Sequence, residues 1–101
     1  MIKHLENRAD FESLTKSKIL VDFYADWCGP CQMLGSILES VENDLEIDIL
    51  KINTDEFNEL ALSFGVMSIP ALFLMDKGKV ISKHVGMLSK EELLKFIKEN
   101  G

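Results

Sequence analysis

The chain is poor in basic residues and in long apolar runs, and each shortage argues against a class of protein. No apolar run approaches the roughly 20 residues that a helix needs to span a bilayer. Basic residues number 11 against 17 acidic ones, which leaves a net charge of −6. That balance argues against nucleic acid or an anionic membrane as a partner, because both attract basic surfaces.

Segments that mark secretion or several domains are also missing. The N-terminal residues 1–6 lack the long apolar core of a signal peptide. A length of 101 residues is enough for one domain and too short for two, and no linker, repeat or low-complexity stretch divides it. We therefore expect a single domain, residues 1–101, in the cytoplasm, where thiols are kept reduced.

What is present is a pair of cysteines two residues apart. Residues 27–31 read Trp-Cys-Gly-Pro-Cys, and Cys28 and Cys31 are the only cysteines. This spacing indicates redox chemistry or half of a metal site. Structural zinc needs four ligands, and the other soft candidates, His4 and His84, are distant in sequence. A structural disulfide across two residues would constrain the unfolded chain very little.

The dithiol follows the clearest strand in the sequence. Residues 19–24 are almost all apolar and contain β-branched side chains, which is typical of a central strand in a parallel sheet with helices on both faces. After Pro30 the apolar period changes to that of an amphipathic helix. The helix is predicted from residues 28–31 to 43–44, and its apolar positions are Leu34, Ile37, Leu38 and Val41.

The remaining pattern alternates strands and helices. We predict strands at 2–5, 47–52, 71–75 and 79–85, with a hairpin turn at 76–78. A first helix carries Phe11 and Leu14 and is capped by Asn7 or Asp10. Residues 54–56 cap a short helix that ends at Gly65, and Ser89 with Glu92 forms the capping box of a last helix. The order β-α-β-α-β-α-β-β-α predicts a mixed sheet.

The segment from Val21 to Cys31 resembles the active-site segment of the thioredoxin family. The likeness extends to Asp22 before the motif, to Lys51 in the next strand, to residues 68–70 (Ser-Ile-Pro), to the Asp-Lys-Gly hairpin and to the Gly86 segment. It implies the thioredoxin fold, which is a three-layer α/β/α sandwich with a five-stranded mixed sheet and four helices. It also implies a protein-disulfide reductase and electron donor in cell redox homeostasis.

The position of the dithiol suggests that the two sulfurs have different roles. One helical turn brings both within disulfide range. At the helix N-terminus, free N–H groups and the helix dipole lower the pKa of Cys28 and make it the nucleophile. Cys31 lies one turn further in, is more shielded, and is expected to attack second. Pro30 suits the first helical turn because its missing N–H is not needed there.

Asp22 is a charged residue inside an apolar strand. Burial of its carboxylate is costly and raises its pKa, which suits proton exchange near neutral pH. The resemblance makes Asp22 the acceptor of the Cys31 proton, through water, and Lys51 its partner. The alternative is an aspartate that turns outward to solvent at a sheet edge.

A substrate surface is expected around Cys28. Statistics alone favour a trans bond before Pro70, whereas the resemblance implies a cis bond facing the dithiol. The Ile69 backbone would then pair with an extended substrate. The candidate surface contains Trp27, Gly29, Pro30, Met67, Ile69, Pro70, Gly86 and Met87. Trp27 could instead belong to the core, and the two methionines could serve packing alone.

The resemblance also implies partners. Oxidised proteins would be the substrates, and a reductase that uses FAD and NADPH would restore the dithiol of a monomer without a bound cofactor. Gly29 and Pro30 resemble the pair found in the reducing members of the family. Two other functions stay open: a binding subunit with incidental thiols, and a thiol oxidase or isomerase.

Four positions depart from the family pattern. Tyr24 stands where many members have Trp, and Gln32 replaces the usual Lys or Arg after the second cysteine. Ser36 replaces a helix-kinking Pro, and Ala71 follows Pro70 where Thr is common. These departures leave the redox potential, the thiolate pKa and the choice of partner open.

Overall fold

A computed structural model describes residues 1–100, and its strands and helices follow the predicted order. The elements are β1 (Ile2–His4), α1 (Phe11–Leu14), β2 (Ile19–Tyr24), α2 (Gly29–Val41), β3 (Asp48–Asn53), α3 (Asn58–Ser63), β4 (Ala71–Asp76), β5 (Lys79–Val85) and α4 (Lys90–Asn100). Short 3-10 turns precede α1 at Arg8–Asp10 and follow α2 at Glu42–Asp44. Within residues 1–100, no helix has the length and apolar character to cross a membrane.

The five strands form one mixed sheet in the order β1-β3-β2-β4-β5. Strand β3 runs parallel to both β1 and β2, whereas β4 is antiparallel to β2 and β5. The mixed sheet confirms the predicted fold class. The apolar run at residues 19–24 indicated a parallel sheet, whereas one of the two neighbours of β2 is antiparallel. Such a run reports that both faces are covered and not the direction of the adjacent strand.

Helices cover both faces of the sheet, and the alternation of β2 decides which core each side chain enters. Val21 and Phe23 pack with α1 and α3, in a cluster that includes an edge-to-face pair between Phe23 and Phe73. Leu20 packs on the opposite face with α2 and α4. Each large apolar side chain fully buried in these cores contributes about 1.5–3 kcal/mol relative to exposure. Asp22 has the same parity as Leu20 and therefore lies under α2.

The predicted capping residues of two helices were wrong. Neither Asn7 nor Asp10 makes a capping hydrogen bond. The chain enters α1 through a 3-10 turn, so Asp10 already has helical φ and ψ rather than the extended backbone of a cap. Helix α3 begins only at Asn58, because the side chain of Asn53 accepts hydrogen bonds from the N–H groups of residues 55 and 56 and makes a separate turn first.

The signals at the end of the chain were predicted correctly. Lys77 and Gly78 both have positive φ, 54° and 77°, as a two-residue hairpin turn requires. Ser89 and Glu92 form the capping box at α4: the Glu92 N–H donates to Ser89 Oγ at 3.1 Å, and the Ser89 N–H donates to Glu92 Oε1 at 2.8 Å.

Candidate active site

Cys28 and Cys31 form a disulfide at the first turn of α2, with their Cα atoms 5.2 Å apart. Cys28 is the N-cap residue and has extended backbone, with Pro30 in the first helical turn. The Cys28 sulfur accepts a hydrogen bond from the Cys31 N–H at 3.2 Å. An anion at Cys28 would gain from the same N–H group and from the helix dipole, which is the condition for a low thiol pKa.

Both cysteines are shielded in this disulfide form. Cys28 is 5% exposed and Cys31 is 2% exposed. Cys28 is therefore buried in the oxidised state, and Cys31 is the more shielded of the two, as expected. The reason is local packing: Cys28 contacts Ala25 and Ile69, and its sulfur lies 3.9 Å from the Ile69 carbonyl oxygen.

Asp22 is fully buried, which rules out an aspartate turned to solvent at an edge. Within residues 1–100, neither of its carboxylate oxygens has a hydrogen-bond partner. Its Oδ2 atom lies 3.9 Å from Lys51 Nζ, on the strand position directly beside it. Burial raises the pKa of Asp22 from 3.8 to about 6, while the charge of Lys51 opposes that rise and only moderates it.

The loop before β4 brings Ile69 and Pro70 beside the disulfide. The Ile69–Pro70 peptide bond is cis, as the resemblance implied. Pro70 is buried and Ile69 is partly buried. The Gly86 N–H donates to the Pro70 carbonyl oxygen at 2.8 Å, so the segment after β5 lies against the same loop.

The predicted surface around Cys28 is largely exposed. Trp27 is 72% exposed and Met67 is 91% exposed, so neither side chain belongs to the core. Met87 is 38% exposed, and Gly29 and Pro30 are also at the surface. A groove of about 240 Å³ brings Trp27, Met67 and Ile69 together. Gly86 and Met87 are not among the residues that line it.

Sequence reasoning missed two contacts that hold the motif in place. The Trp27 Nε1–H donates to Asp55 Oδ2 at 3.0 Å, although Asp55 was assigned to a helix cap. The Gln32 side chain donates to the Asp26 carbonyl oxygen at 2.7 Å, although Gln32 was seen only as a lost cation. The signal for Asp55 was its place just after β3, because the carboxyl ends of parallel strands meet at one edge of the sheet.

The alternative of a metal site has no second set of ligands in the described part of the chain. Across residues 1–100, no cluster of three or more His, Cys, Asp or Glu side chains could hold a metal ion. His4 packs against Tyr24, and the His84 ring nitrogen lies 3.4 Å from the Met87 carbonyl oxygen.

The family model named Thioredoxin matches residues 2–99. The chain belongs to the thioredoxin family. A thioredoxin of Mycoplasmoides gallisepticum is 38% identical over 100 residues, which cover 96% of this chain and 100% of that protein. A thioredoxin of Staphylococcus aureus is 44% identical over 92 residues, which cover 88% of each. A solved mutant thioredoxin from Halobacterium salinarum NRC-1 has a TM-score of 0.90 at 32% identity and covers 98% of this chain and 89% of that one.

Thioredoxin membership and the cysteine pair together establish the class of chemistry. A Cys-x-x-Cys pair bonded at a helix N-terminus is a redox-active disulfide, which forms and opens by thiol–disulfide exchange. The chain is a thiol–disulfide oxidoreductase with protein-disulfide reductase activity.

Proposed function

We propose that this thioredoxin donates two electrons at a time to disulfides of other proteins, with Cys28 as the nucleophile and Cys31 as the resolving thiol. Three features of β2 and of the first turn of α2 support this proposal. A disulfide opens α2, a helix N–H points at the Cys28 sulfur, and Asp22, with its raised pKa, is buried in the strand that leads to the motif.

In the first step, the Cys28 thiolate attacks one sulfur of the target disulfide. A bond forms between Cys28 and that sulfur, the target bond breaks, and the other target sulfur leaves as a thiolate that takes a proton from solvent. The Cys31 N–H hydrogen bond and the α2 dipole favour the thiolate form of Cys28 before the attack.

In the second step, Cys31 releases the target. Its thiol gives up a proton, which Asp22 accepts through water, and the resulting thiolate attacks the Cys28 sulfur. The mixed disulfide breaks, the second target sulfur leaves as a thiolate, and the Cys28–Cys31 disulfide forms. A pKa of about 6 supports the role of Asp22, because the carboxylate is ionised at neutral pH and still binds a proton readily. Lys51 would keep that pKa from rising further.

The target would bind across the exposed surface beside the disulfide. An extended segment could pair with the Ile69 backbone, next to the cis Pro70, while its side chains contact Trp27 and Met67. Trp27, with its indole fixed by a hydrogen bond, offers a rigid apolar anchor, and methionine adapts to varied partners. Gly29, Pro30, Gly86 and Met87 would complete this surface.

Recycling requires a source of electrons outside the chain. We infer that a thioredoxin reductase using FAD and NADPH returns the disulfide to the dithiol, so the protein serves electron transport without a bound cofactor. A reducing role fits the cytoplasm, where thiols are kept reduced. We expect a single-domain monomer, which sedimentation equilibrium would test across a range of concentrations.

The two-step order predicts that Cys31→Ser traps the target. The variant keeps Cys28, so it forms the mixed disulfide but has no second thiol to resolve it. Incubation with an oxidised protein should yield a covalent complex that is visible on a non-reducing gel. Treatment of the sample with dithiothreitol should reduce the mixed disulfide and remove the complex. Cys28→Ser is the matched control and should trap nothing. Equal trapping by both variants, or by neither, would contradict the assignment of the two sulfurs.

The role of Asp22 predicts a selective kinetic defect. Asp22→Asn should slow release of the target at pH 7 by about 10²-fold, because a general base is lost, and should leave the first attack nearly unchanged. Stopped-flow Trp27 fluorescence can follow both steps. Asp26→Asn, which changes an exposed carboxylate in the loop between β2 and α2, is the control. Equal slowing of both steps by Asp22→Asn would contradict a role specific to Cys31.

The direction of transfer separates this proposal from the oxidase alternative. A reductase should have a reduction potential low enough to reduce insulin disulfides with dithiothreitol as the electron source. A potential well above that of cytosolic reductants would indicate a thiol oxidase or isomerase. Partner binding without insulin reduction would indicate a binding subunit.

A further inference from the structure

The ammonium group of Lys51 lies between two residues of β2 and one residue of α2. Its Nζ atom is 3.9 Å from Asp22 Oδ2 and 4.5 Å from the centre of the Tyr24 ring. On the helix side, a Cβ atom on Gly35 would lie only 3.2 Å from Nζ. Because Gly35 has no side chain, the ammonium has room beneath α2 at this position.

The distance to Asp22 is too long for a charge-assisted hydrogen bond. Such bonds between an ammonium and a carboxylate measure about 2.7–2.9 Å. Lys51 stops roughly one ångström short of that contact, and within residues 1–100 the Asp22 oxygens have no other hydrogen-bond partner. A cation over the face of a tyrosine ring is attracted by the ring's quadrupole. The ring therefore competes with the carboxylate for the same ammonium.

We propose that Tyr24 is a positioning residue: its ring holds the Lys51 ammonium out of hydrogen-bonding contact with Asp22, so that the carboxylate remains a proton acceptor. This inference rests on the proposed role of Asp22. The strands explain why Tyr24 can act in this way. Tyr24 is two residues after Asp22 on β2 and so projects from the same face, and Lys51 lies directly beside Asp22 on β3.

Other charges do not compete for this role. Opposite Asp22 on β4 lies the apolar Leu72, and the buried face of α2 carries no charged residue. On β1, the His4 ring meets Tyr24 edge-on at 6.4 Å between centroids. Burial first and then Asp26 raise the pKa of the Tyr24 hydroxyl; Asp22 and Glu56 raise it less, and the Asn53 side chain lowers it. Tyr24 is therefore neutral at pH 7, and Lys51 is the charge that acts on Asp22.

The test is a direct titration of Asp22 in variants of Tyr24. The Asp22 carboxyl carbon is followed by NMR as a function of pH in the oxidised protein, where the disulfide keeps the cysteines from titrating. Tyr24→Leu removes the ring, and Tyr24→Phe keeps the ring but removes the hydroxyl. We expect Tyr24→Leu to lower the pKa of Asp22 by about one pH unit, because the ammonium can then reach the carboxylate. Tyr24→Phe should leave that pKa unchanged.

A second variant assigns the change to Lys51. In Lys51→Met the pKa of Asp22 should rise. Adding Tyr24→Leu to Lys51→Met should then not lower this pKa, because the ammonium is gone. The inference is overturned if Tyr24→Leu leaves the pKa of Asp22 unchanged or raises it, if Tyr24→Phe lowers it equally, or if the fall survives in Lys51→Met. Backbone chemical shifts report whether Tyr24→Leu folds, and Tyr24→Met takes its place if it does not.

The titration does not depend on the proposed catalytic step. If Asp22→Asn leaves release of the target unchanged, Asp22 is not the proton acceptor, yet the Tyr24 variants still test how the ammonium is positioned. If the step depends on Asp22 but the Tyr24 variants do not move its pKa, the positioning role fails alone.

Discussion

At the scale of single residues, Asp22 carries an energetic cost that its neighbours do not remove. The carboxylate is fully buried, lacks a hydrogen-bond partner within residues 1–100 and stands 3.9 Å from its nearest cation. Desolvation of the charged form therefore outweighs the attraction to Lys51, and the pKa rises from 3.8 to about 6. A residue with this profile is kept at an energetic loss, which is typical of functional sites.

The raised pKa predicts that Asp22→Asn stabilises the fold above pH 6. In the native state the carboxyl stays protonated to higher pH than in the unfolded chain. Its contribution to the free energy of unfolding is therefore fully present below about pH 4 and is lost as pH rises through about 6. The difference between 3.8 and about 6 corresponds to about 3 kcal/mol, which Asp22→Asn should recover at pH 7.5. Urea denaturation at pH 7.5 and pH 4 measures this gain.

The control for that experiment is Asp26→Asn, which changes an exposed carboxylate in the same segment. Its effect should stay within about 0.5 kcal/mol at both pH values. If Asp22→Asn has the same stability as the unmodified protein at pH 7.5, or gains more at pH 4 than at pH 7.5, the account of the buried carboxylate is wrong.

The importance of Asp22 could be predicted from the sequence, because a single charged residue within an apolar strand can be recognised without the structure. The contacts of Lys51 with Tyr24 and Gly35 could not be predicted, because they depend on the register between β2 and β3 and on the height of α2 above the sheet. The hydrogen bonds of Trp27 and Gln32 depend in the same way on how side chains turn once the backbone is fixed.

At the scale of elements, helix α2 is shaped by the site that it opens. Gly35 is a buried helical glycine, and glycine is about 0.8–1.0 kcal/mol less favourable than alanine inside a helix. Among residues 1–100, apart from the helix's own backbone and the adjacent residues, only Lys51 Nζ lies within 4 Å of a Cβ placed there. The glycine thus weakens the helix in exchange for space around the ammonium.

This weakness predicts that Gly35→Ala stabilises the protein. The new methyl group meets the flexible end of Lys51, which can move by a few tenths of an ångström, so most of the helix propensity is gained. We expect a gain of about 0.5 kcal/mol in the free energy of unfolding by urea, and about 1 kcal/mol in a Lys51→Met background where the crowding is absent. A loss of stability in the Lys51→Met background would contradict this explanation of Gly35.

Elements with a strong period or a strong turn signal were predicted best. The bounds of β2 agree with the predicted strand 19–24, because a β-branched apolar run followed by Gly and Pro has few alternatives. The start of α3 was wrong because Asn53 satisfies the backbone of the next residues with its side chain, and this competes with the capping groups at residues 54–56.

At the scale of the whole molecule, the topology explains why distant segments meet at the dithiol. Strands β2 and β3 are parallel, so the segments after residues 24 and 53 emerge at the same edge of the sheet. Strand β4 is antiparallel to β2 and therefore begins at that edge, which brings Pro70 there, and β5 ends beside it. The parallel pair could be predicted from the alternation of strands and helices, whereas the position of Pro70 came from the family resemblance.

The two thiols of the reduced chain together supply two electrons and two protons to a protein disulfide, and a single-turnover thiol count tests this directly. The protein is reduced, freed of reductant and mixed with excess oxidised insulin, and the thiols on each partner are then alkylated and counted by mass spectrometry. Each chain should lose two thiols, at Cys28 and Cys31, while the substrate gains two. Insulin that keeps its disulfides while the chain keeps both thiols would contradict it.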